Sequence, residues 1–260
     1  MSTKTTQGQL WSVAPQKWSQ HFEPWFLPMY KTALRQLQLN EDHLLLDAGC
    51  GSGMFTAMAV NEGAEVIGID AAPGLLEVAR QRNPNNNFLE EDLEALPFED
   101  NSFDVVTAFN SLQYAGSFEK ALAEATRVLK PGGRIVIGIW DQPQYSEATQ
   151  ILKAIGSLLP APPPGKPGPF ALSEDGRIEE AFINANLKPL YKSSIPCPFL
   201  FSNLRHGVEA FMGTGPAAIA LNSYSKATVE ETIEQAFQAF HITDDFFFLQ
   251  NKFLLFIAEK

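Results

Sequence analysis

The sequence is short of cationic charge, cysteine, histidine and long apolar runs, and each shortage removes a class of function. Lys and Arg number 19 against 30 Asp and Glu, a formal net charge of −11. A surface of that sign repels nucleic-acid phosphates and anionic lipid headgroups, and no run of Lys or Arg supplies a local exception, so neither nucleic acid nor membrane is an expected partner. The two cysteines, Cys50 and Cys197, lie far apart and form neither a disulfide framework nor a zinc-ligand spacing. With only four scattered histidines, no metal site is expected. No apolar run approaches the roughly 18 residues of a membrane span. Residues 1–9 are polar and lack the apolar core of a signal peptide, so the cytoplasm is the expected location.

What is present is a chain of 260 residues, 45% of them apolar, enough for one substantial core. Residues 1–10 read as a disordered tail. An aromatic-rich stretch over 11–40 follows, expected to be helical but divided by Pro24 and Pro28, since each proline removes an amide donor and crowds the preceding turn. From residue 41 to 141 short apolar runs (43–47, 65–70, 87–90, 103–109 and 134–140) alternate with helical patterns (54–61, 73–82 and 118–129). That rhythm predicts βαβ units and an α/β fold: a Rossmann-like, doubly wound, mostly parallel sheet with helices on both faces. Residues 142–225 read as a substrate-side elaboration. It contains a helix over 145–159, the stiff proline-rich segment 160–169, a helix over 175–185, a strand over 190–199, and a helix over 204–221 broken at Gly213–Pro216 as a lid hinge. Residues 226–260 are expected to close the domain with a helix (228–240) and an apolar, antiparallel C-terminal edge strand (246–258).

The most informative segment is Leu44-Leu45-Leu46-Asp47-Ala48-Gly49-Cys50-Gly51-Ser52-Gly53. An apolar strand ends in an acid and then makes a glycine-rich turn into a helix. Glycine there permits positive φ and close approach of a ligand to the backbone, and the ligand lies over the carboxyl ends of the strands. The dinucleotide fingerprint needs G-x-G-x-x-G. Here the spacing is G-x-G-x-G, and Met54 stands at the position that fingerprint requires. Asp47 would also sit badly beside a pyrophosphate. It suits a ligand bearing an ammonium and a sulfonium and no phosphate, as S-adenosylmethionine does. Asp70, ending the second strand, is placed for the two ribose hydroxyls. Asp92, after the third, is placed for the adenine amino group, with Ala71 and Leu93 as apolar plates. Asn110, after the fourth, is a candidate for the methionine and methyl end.

With these residues in view the chain resembles the class I S-adenosylmethionine-dependent methyltransferases, in the small-molecule subgroup of ubiquinone and menaquinone methyltransferases. The matching stretches are 45–53, 66–70, 92–98, 101–106 and 127–133, in the family's order and spacing. The resemblance implies S-adenosyl-L-methionine as cofactor, with S-adenosyl-L-homocysteine as product, and places Asp47, Gly49, Gly51, Asp70, Asp92 and Asn110 at cofactor positions. Cys50 falls in a variable slot of the loop, beside the cofactor and as a small buried filler rather than a reactive thiol. Where relatives carry a histidine pair after the fourth strand, this chain has Asn110-Ser111-Leu112-Gln113-Tyr114, so no histidine base carries over.

Trp18 is the leading aromatic candidate to face the sulfonium, ahead of Trp11 and Trp25, because a cation is attracted to an aromatic face. His21, Tyr114 and His206 are candidate acceptor-side groups, though lone residues of these types are more often structural. Phe170, Phe199, Phe201 and Phe211 mark the elaboration as the source of an apolar acceptor pocket. The expected activity is methyl transfer to a small, largely apolar organic molecule, by a monomer or homodimer. Two alternatives remain open: a non-catalytic binder of S-adenosylmethionine or S-adenosylhomocysteine, and a nicotinamide-dependent oxidoreductase.

Overall fold

Apolar runs flanked by turn residues form the expected strands, and their order places every chemistry-bearing loop at one end of the sheet. The computed structural model describes residues 2–159, 170–243 and 246–260; the proline-rich segment 160–169 lies outside them. In chain order the helices are α1 (Lys4–Trp11), α2 (Pro15–Lys17), α3 (Leu27–Leu37), α4 (Met54–Asn61), α5 (Pro73–Arg82), α6 (Phe118–Val128), α7 (Ala148–Gly156), α8 (Arg177–Asn184), α9 (Leu204–Met212), α10 (Gly215–Ala220) and α11 (Lys226–Phe237). The strands are β1 (Leu44–Ala48), β2 (Glu65–Asp70), β3 (Asn87–Glu90), β4 (Phe103–Phe109), β5 (Leu129–Trp140), β6 (Lys188–Pro196), β7 (Phe199–Phe201), β8 (His241–Thr243), β9 (Phe246–Leu249) and β10 (Lys252–Glu259).

Seven strands form the main sheet in the order β3-β2-β1-β4-β5-β10-β6. The first five are parallel, as right-handed βαβ crossovers require. The order reverses between β1 and β4, and the crevice above that switch point is where open α/β sheets bind ligands. The C-terminal strand is the antiparallel one, but it lies one place in from the edge, because β6 pairs along its outer side. The apolar run expected over 246–258 is two strands. Buried Asn251 breaks it, its Oδ1 accepting from Ala148 N at 2.9 Å at the start of α7, and β9 leaves to join a small sheet in the order β7-β9-β8.

The N-terminal residues depart from expectation. The predicted disordered tail is α1, packed across the ends of β2 and β3. Its polar composition hides what holds it, which is a set of long-range hydrogen bonds. Ser2 Oγ donates to Asp92 Oδ2, Thr3 Oγ1 to Tyr114 O at 2.5 Å, Lys4 Nζ to Glu90 O at 2.8 Å, and Gly74 N to Ser12 Oγ at 3.0 Å. Gly8 makes the approach possible, since a Cβ there would stand 2.2 Å from Ala71 O. The aromatic stretch is divided at Pro24 and Pro28 as expected, into a wide turn over Trp18–Phe22, a tight turn over Glu23–Phe26, and α3 with Pro28 in its first turn.

Candidate functional site

The glycine loop forms because β1 runs out against β2. Gly49 N and Cys50 N both donate to Ile69 O, at 2.8 and 2.9 Å, and Gly53 N returns to Cys50 O. Gly49, Gly51 and Gly53 have φ of 81°, 54° and 75°. The first two do different work. A Cβ on Gly49 would lie 2.2 Å from Ser111 Cβ, and the Ser111 hydroxyl is tied to Ala48 O at 2.7 Å. A Cβ on Gly51 would instead project between Glu23 Oε1 and Trp18 Nε1, 3.6 and 3.7 Å away. Gly49→Ala is therefore expected to cost about 2–3 kcal/mol and roughly 5–10 °C of thermal midpoint. Gly51→Ala is expected to fold at a cost of about 1 kcal/mol for its left-handed backbone, while weakening a ligand seated on the loop at least tenfold. Thermal melts and calorimetric titration with S-adenosylhomocysteine check both; a Gly51→Ala protein that binds normally would show that nothing sits on this loop.

Above the loop opens a cavity of about 930 Å³, floored by the ends of β1, β2, β4 and β5 and roofed by α1, the turns at Trp18–Phe26, α7 and α10. Gly49, Cys50, Gly51, Asp70, Ala71, Asp92, Leu93, Asn110, Trp18 and Tyr114 all line it. Asp70 Oδ2 accepts from Gly51 N and its Oδ1 from Ala72 N, both at 2.9 Å. One carboxylate thus fixes the glycine loop and the start of α5 while still facing the cavity. Both oxygens of Asp92 are engaged, Oδ2 by Ser2 and Oδ1 by Glu94 N at 2.9 Å. Asn110, at φ 49°, has a buried Nδ2 that makes no hydrogen bond among the described residues. Trp18 stacks on Phe22 at 5.0 Å and meets Trp11 edge-on at 4.9 Å; Trp11 in turn meets Tyr114 at 5.5 Å. These rings make one continuous aromatic wall.

Three expected site residues fall elsewhere. Asp47 does not line the cavity. It is buried below the loop, with Thr56 Oγ1 donating to Oδ2 at 2.7 Å and Thr107 Oγ1 to Oδ1 at 2.9 Å. His21 and His206 face each other at 5.3 Å outside the cavity lining, beside Trp25 and Phe201. The side chain of His21 leaves the turn on the side of α9, whose first turn carries His206. Burial and the neighbouring His21 lower the pKa of His206. Of the phenylalanines taken as acceptor-side, Phe170 lines the cavity, whereas Phe199, Phe201 and Phe211 are wholly buried in the core behind it.

Glu23 is the residue that sequence reasoning missed. It is buried, yet it lines the cavity. Its Oε2 accepts from Ser52 Oγ and from Arg82 Nη1, the latter at 2.7 Å. Arg82 is spent on this corner: Nη1 also reaches Ser52 O at 3.0 Å and Nη2 reaches Ser19 Oγ at 2.8 Å. The one available signal was that Glu23 is the sole carboxylate between Trp18 and Tyr30.

The electrostatics follow from this packing. Glu23, Asp47 and Asp70 surround the loop, and Arg82 is the guanidinium that answers them. Burial pushes Asp47 up to about 6 against its two threonine hydrogen bonds. It raises Glu23 in spite of Arg82 and Ser52, and Asp70 in spite of its backbone amide donors. Three carboxylates thus stand around the loop with one guanidinium, which is paired to Glu23. The other candidates for proton transfer are pushed away from that role. Burial lifts Tyr114 to about 12 and raises the Cys50 thiol well above its usual range.

Parts of the chain are similar in sequence and fold to known proteins. Residues 46–137 match the model of a methyltransferase domain family. The demethylmenaquinone methyltransferase of Renibacterium salmoninarum is 39% identical over 101 residues, covering 39% of this chain and 43% of that protein. The malonyl-[acyl-carrier protein] O-methyltransferase of Buchnera aphidicola is 28% identical over 191 residues, covering 74% and 72%. In fold, the chain is similar to the YcgJ protein of Bacillus subtilis, with a TM-score of 0.58 at 22% identity over 89% of this chain and 97% of that one. The first relative is thus matched over less than half its length.

Proposed function

We propose, from the premise that this chain belongs to the class I S-adenosylmethionine-dependent methyltransferases, that it transfers a methyl group to a small, largely apolar organic acceptor. The observation that carries the reading is the charge of the glycine-loop corner: three carboxylates, all raised by burial, against one guanidinium. That corner disfavours the pyrophosphate of a dinucleotide and suits a ligand with two cationic centres and no phosphate. The space over Gly51, which a single Cβ would begin to fill, and the unbonded Nδ2 of Asn110 are further signs of fit.

Bound there, S-adenosylmethionine would supply a methyl group on a sulfonium, activated because the leaving group is a neutral thioether. The chain's own part is to hold, orient and exclude water. Asp70 would accept from the ribose hydroxyls while it fixes the loop. Ala71 and Leu93 would flank the adenine, Asp92 would offer its carboxylate to the adenine edge, and the Trp18 wall would face the sulfonium. Cys50, with its raised thiol, fills the loop's inner side. Asp47 acts through its field from beneath the loop rather than by contact. The acceptor half of the cavity lies toward Trp140, Leu152 and Phe170, an apolar chamber in which near-attack geometry does most of the work. A general base is needed only for an acceptor that must lose a proton.

The test is incorporation of label from methyl-labelled S-adenosylmethionine into a small-molecule extract. Labelled organic product is the expected result. Cofactor binding with no labelled product in any extract would favour a non-catalytic binder, and heat with a reduced nicotinamide cofactor but none with S-adenosylhomocysteine would favour the oxidoreductase.

A further inference from the structure

The cavity is divided by charge. Its lining carboxylates, Glu23, Asp70, Glu91 and Asp92, come from the turn before α3 and from the ends of β2 and β3. Lys4 stands among them and is already held there by Glu90 O at 2.8 Å and by Glu91. Among the described residues that line the cavity from Trp140 onward there is no carboxylate, and the cation is Lys153. In a chain of net charge −11, this half of the cavity presents an ammonium that no lining acid opposes.

The place of Lys153 follows from the period of α7. Ala148, Ile151 and Ile155 are fully buried and form the inner face of the helix. Thr149, Leu152, Lys153 and Gly156 line the cavity, at the i, i+3, i+4 and i+7 spacing of a single stripe. Lys153 is thus carried by the cavity face of α7. It makes no ion pair with a described residue, and the sequence 160–169 that follows holds no Asp or Glu. The hydroxyls beside it are committed to nearby backbone: Thr149 Oγ1 donates to Ser146 O at 2.6 Å, and Ser157 Oγ to Ala154 O at 2.7 Å. The ammonium is the uncommitted donor of the stripe. Gly156 keeps room beside it, since a Cβ there would meet no described atom within 4 Å. The rest of this half is apolar, with Trp140, Leu152, Leu159, Phe170 and Pro216.

We infer that the acceptor is amphiphilic, an apolar body that carries an acidic group, and that Lys153 binds that group. Lys153 is exposed, so the acid is held where the cavity meets solvent, while the lysine stem lies along the apolar wall. The atom that takes the methyl then belongs to the buried body, and the acid serves as an address. Lys153 is a specificity-determining residue that acts on acceptor binding. This inference rests on the function proposed above and narrows its acceptor.

The experiment is calorimetric titration of the full chain, saturated with S-adenosylhomocysteine, with decanoate and with decanamide at about pH 8. The two probes share chain length and differ in charge. The wild-type protein should bind decanoate about fivefold more tightly, the worth of one ion pair at a partly solvated site, and the preference should fall within about twofold in roughly 0.5 M salt. Lys153→Gln should bring the two probes within about twofold, Lys153→Arg should keep the preference, and Lys153→Glu should reverse it. Decanamide should bind all four proteins alike. Equal binding of the probes by the wild type would overturn the inference. So would a preference that survives Lys153→Gln, which would assign the acid to another cation, and so would binding of neither probe. Absence of heat with S-adenosylhomocysteine, seen before any probe is added, would instead defeat the cofactor reading.

Discussion

Asp70→Asn should raise the dissociation constant for S-adenosylhomocysteine about 100-fold while leaving the sheet folded. Two hydrogen bonds from ribose hydroxyls to an ionised carboxylate are worth about 1.5–3 kcal/mol each, and an amide keeps only part of that. A second loss compounds the first. The aspartate accepts from Gly51 N on one oxygen and from Ala72 N on the other. An asparagine can accept on one side only and turns an N–H donor toward the other amide. The loop that should receive the ligand therefore loosens as the ligand's own contact weakens. Calorimetry for affinity and circular dichroism for the fold check this. An affinity within threefold of the wild type would remove Asp70 from the site.

Asp47→Asn should do the opposite to stability. The native carboxyl is raised from 3.8 to about 6 by burial, so the folded protein binds its proton more tightly than the unfolded chain does. The sign follows: this group destabilises the ligand-free protein above about pH 6, and that cost fades as pH falls toward 4. A shift of that size corresponds to about 3 kcal/mol at pH 7. Asparagine removes the buried charge, and the hydroxyls of Thr56 and Thr107 can each donate or accept, so both hydrogen bonds can be remade. The variant is expected to melt roughly 6–10 °C higher at pH 7, with a flatter dependence of its midpoint between pH 4 and 7. Its affinity for S-adenosylhomocysteine should fall about tenfold because the ammonium loses a neighbouring negative charge. In the wild-type protein the same linkage makes ligand-induced stabilisation shrink as pH is lowered from 7.5 to 5, where Asp47 takes up its proton. Differential scanning fluorimetry across that range, with and without ligand, measures both. A variant that melts lower and binds as tightly as the wild type would refute the account of Asp47 as a strained field source.

Both results trace to one feature, a set of buried carboxylates that the fold alone does not neutralise. On the proposed function, the glycine loop is held at some cost in stability that a cationic ligand would offset. Natural sites that bind charged ligands commonly show this trade, because the arrangement that best serves the ligand is not the one that best serves the empty protein.

The legible part of this molecule was whatever depends on neighbours in the chain. Alternating apolar runs and amphipathic helices produced the parallel sheet and its switch point, because period and turn chemistry are local. Gly49, Gly51 and Gly53 announced their loop through spacing, and Asp70, Asp92 and Asn110 followed as the residues at the ends of successive strands. Each of these lines the cavity because a parallel sheet brings all its strand ends to one side.

Contacts between distant segments decided the rest. A polar N-terminal octet became a helix through Ser2, Thr3, Lys4, Gly8 and Ser12, whose partners are residues 71–114, and no periodicity within 4–11 could reveal that. Asp47 was read as a ligand contact because it sits beside the glycines, but β1 points its side chain beneath the loop to two threonines, one on α4 and one on β4. Glu23 waited for Arg82 and Ser52, residues that meet it only after α4 and α5 have packed. Composition and spacing thus determined the sheet and its glycine loop. Which carboxylates line the cavity and which lie beneath the loop was set by tertiary packing, because the direction of a side chain depends on the elements that close around it.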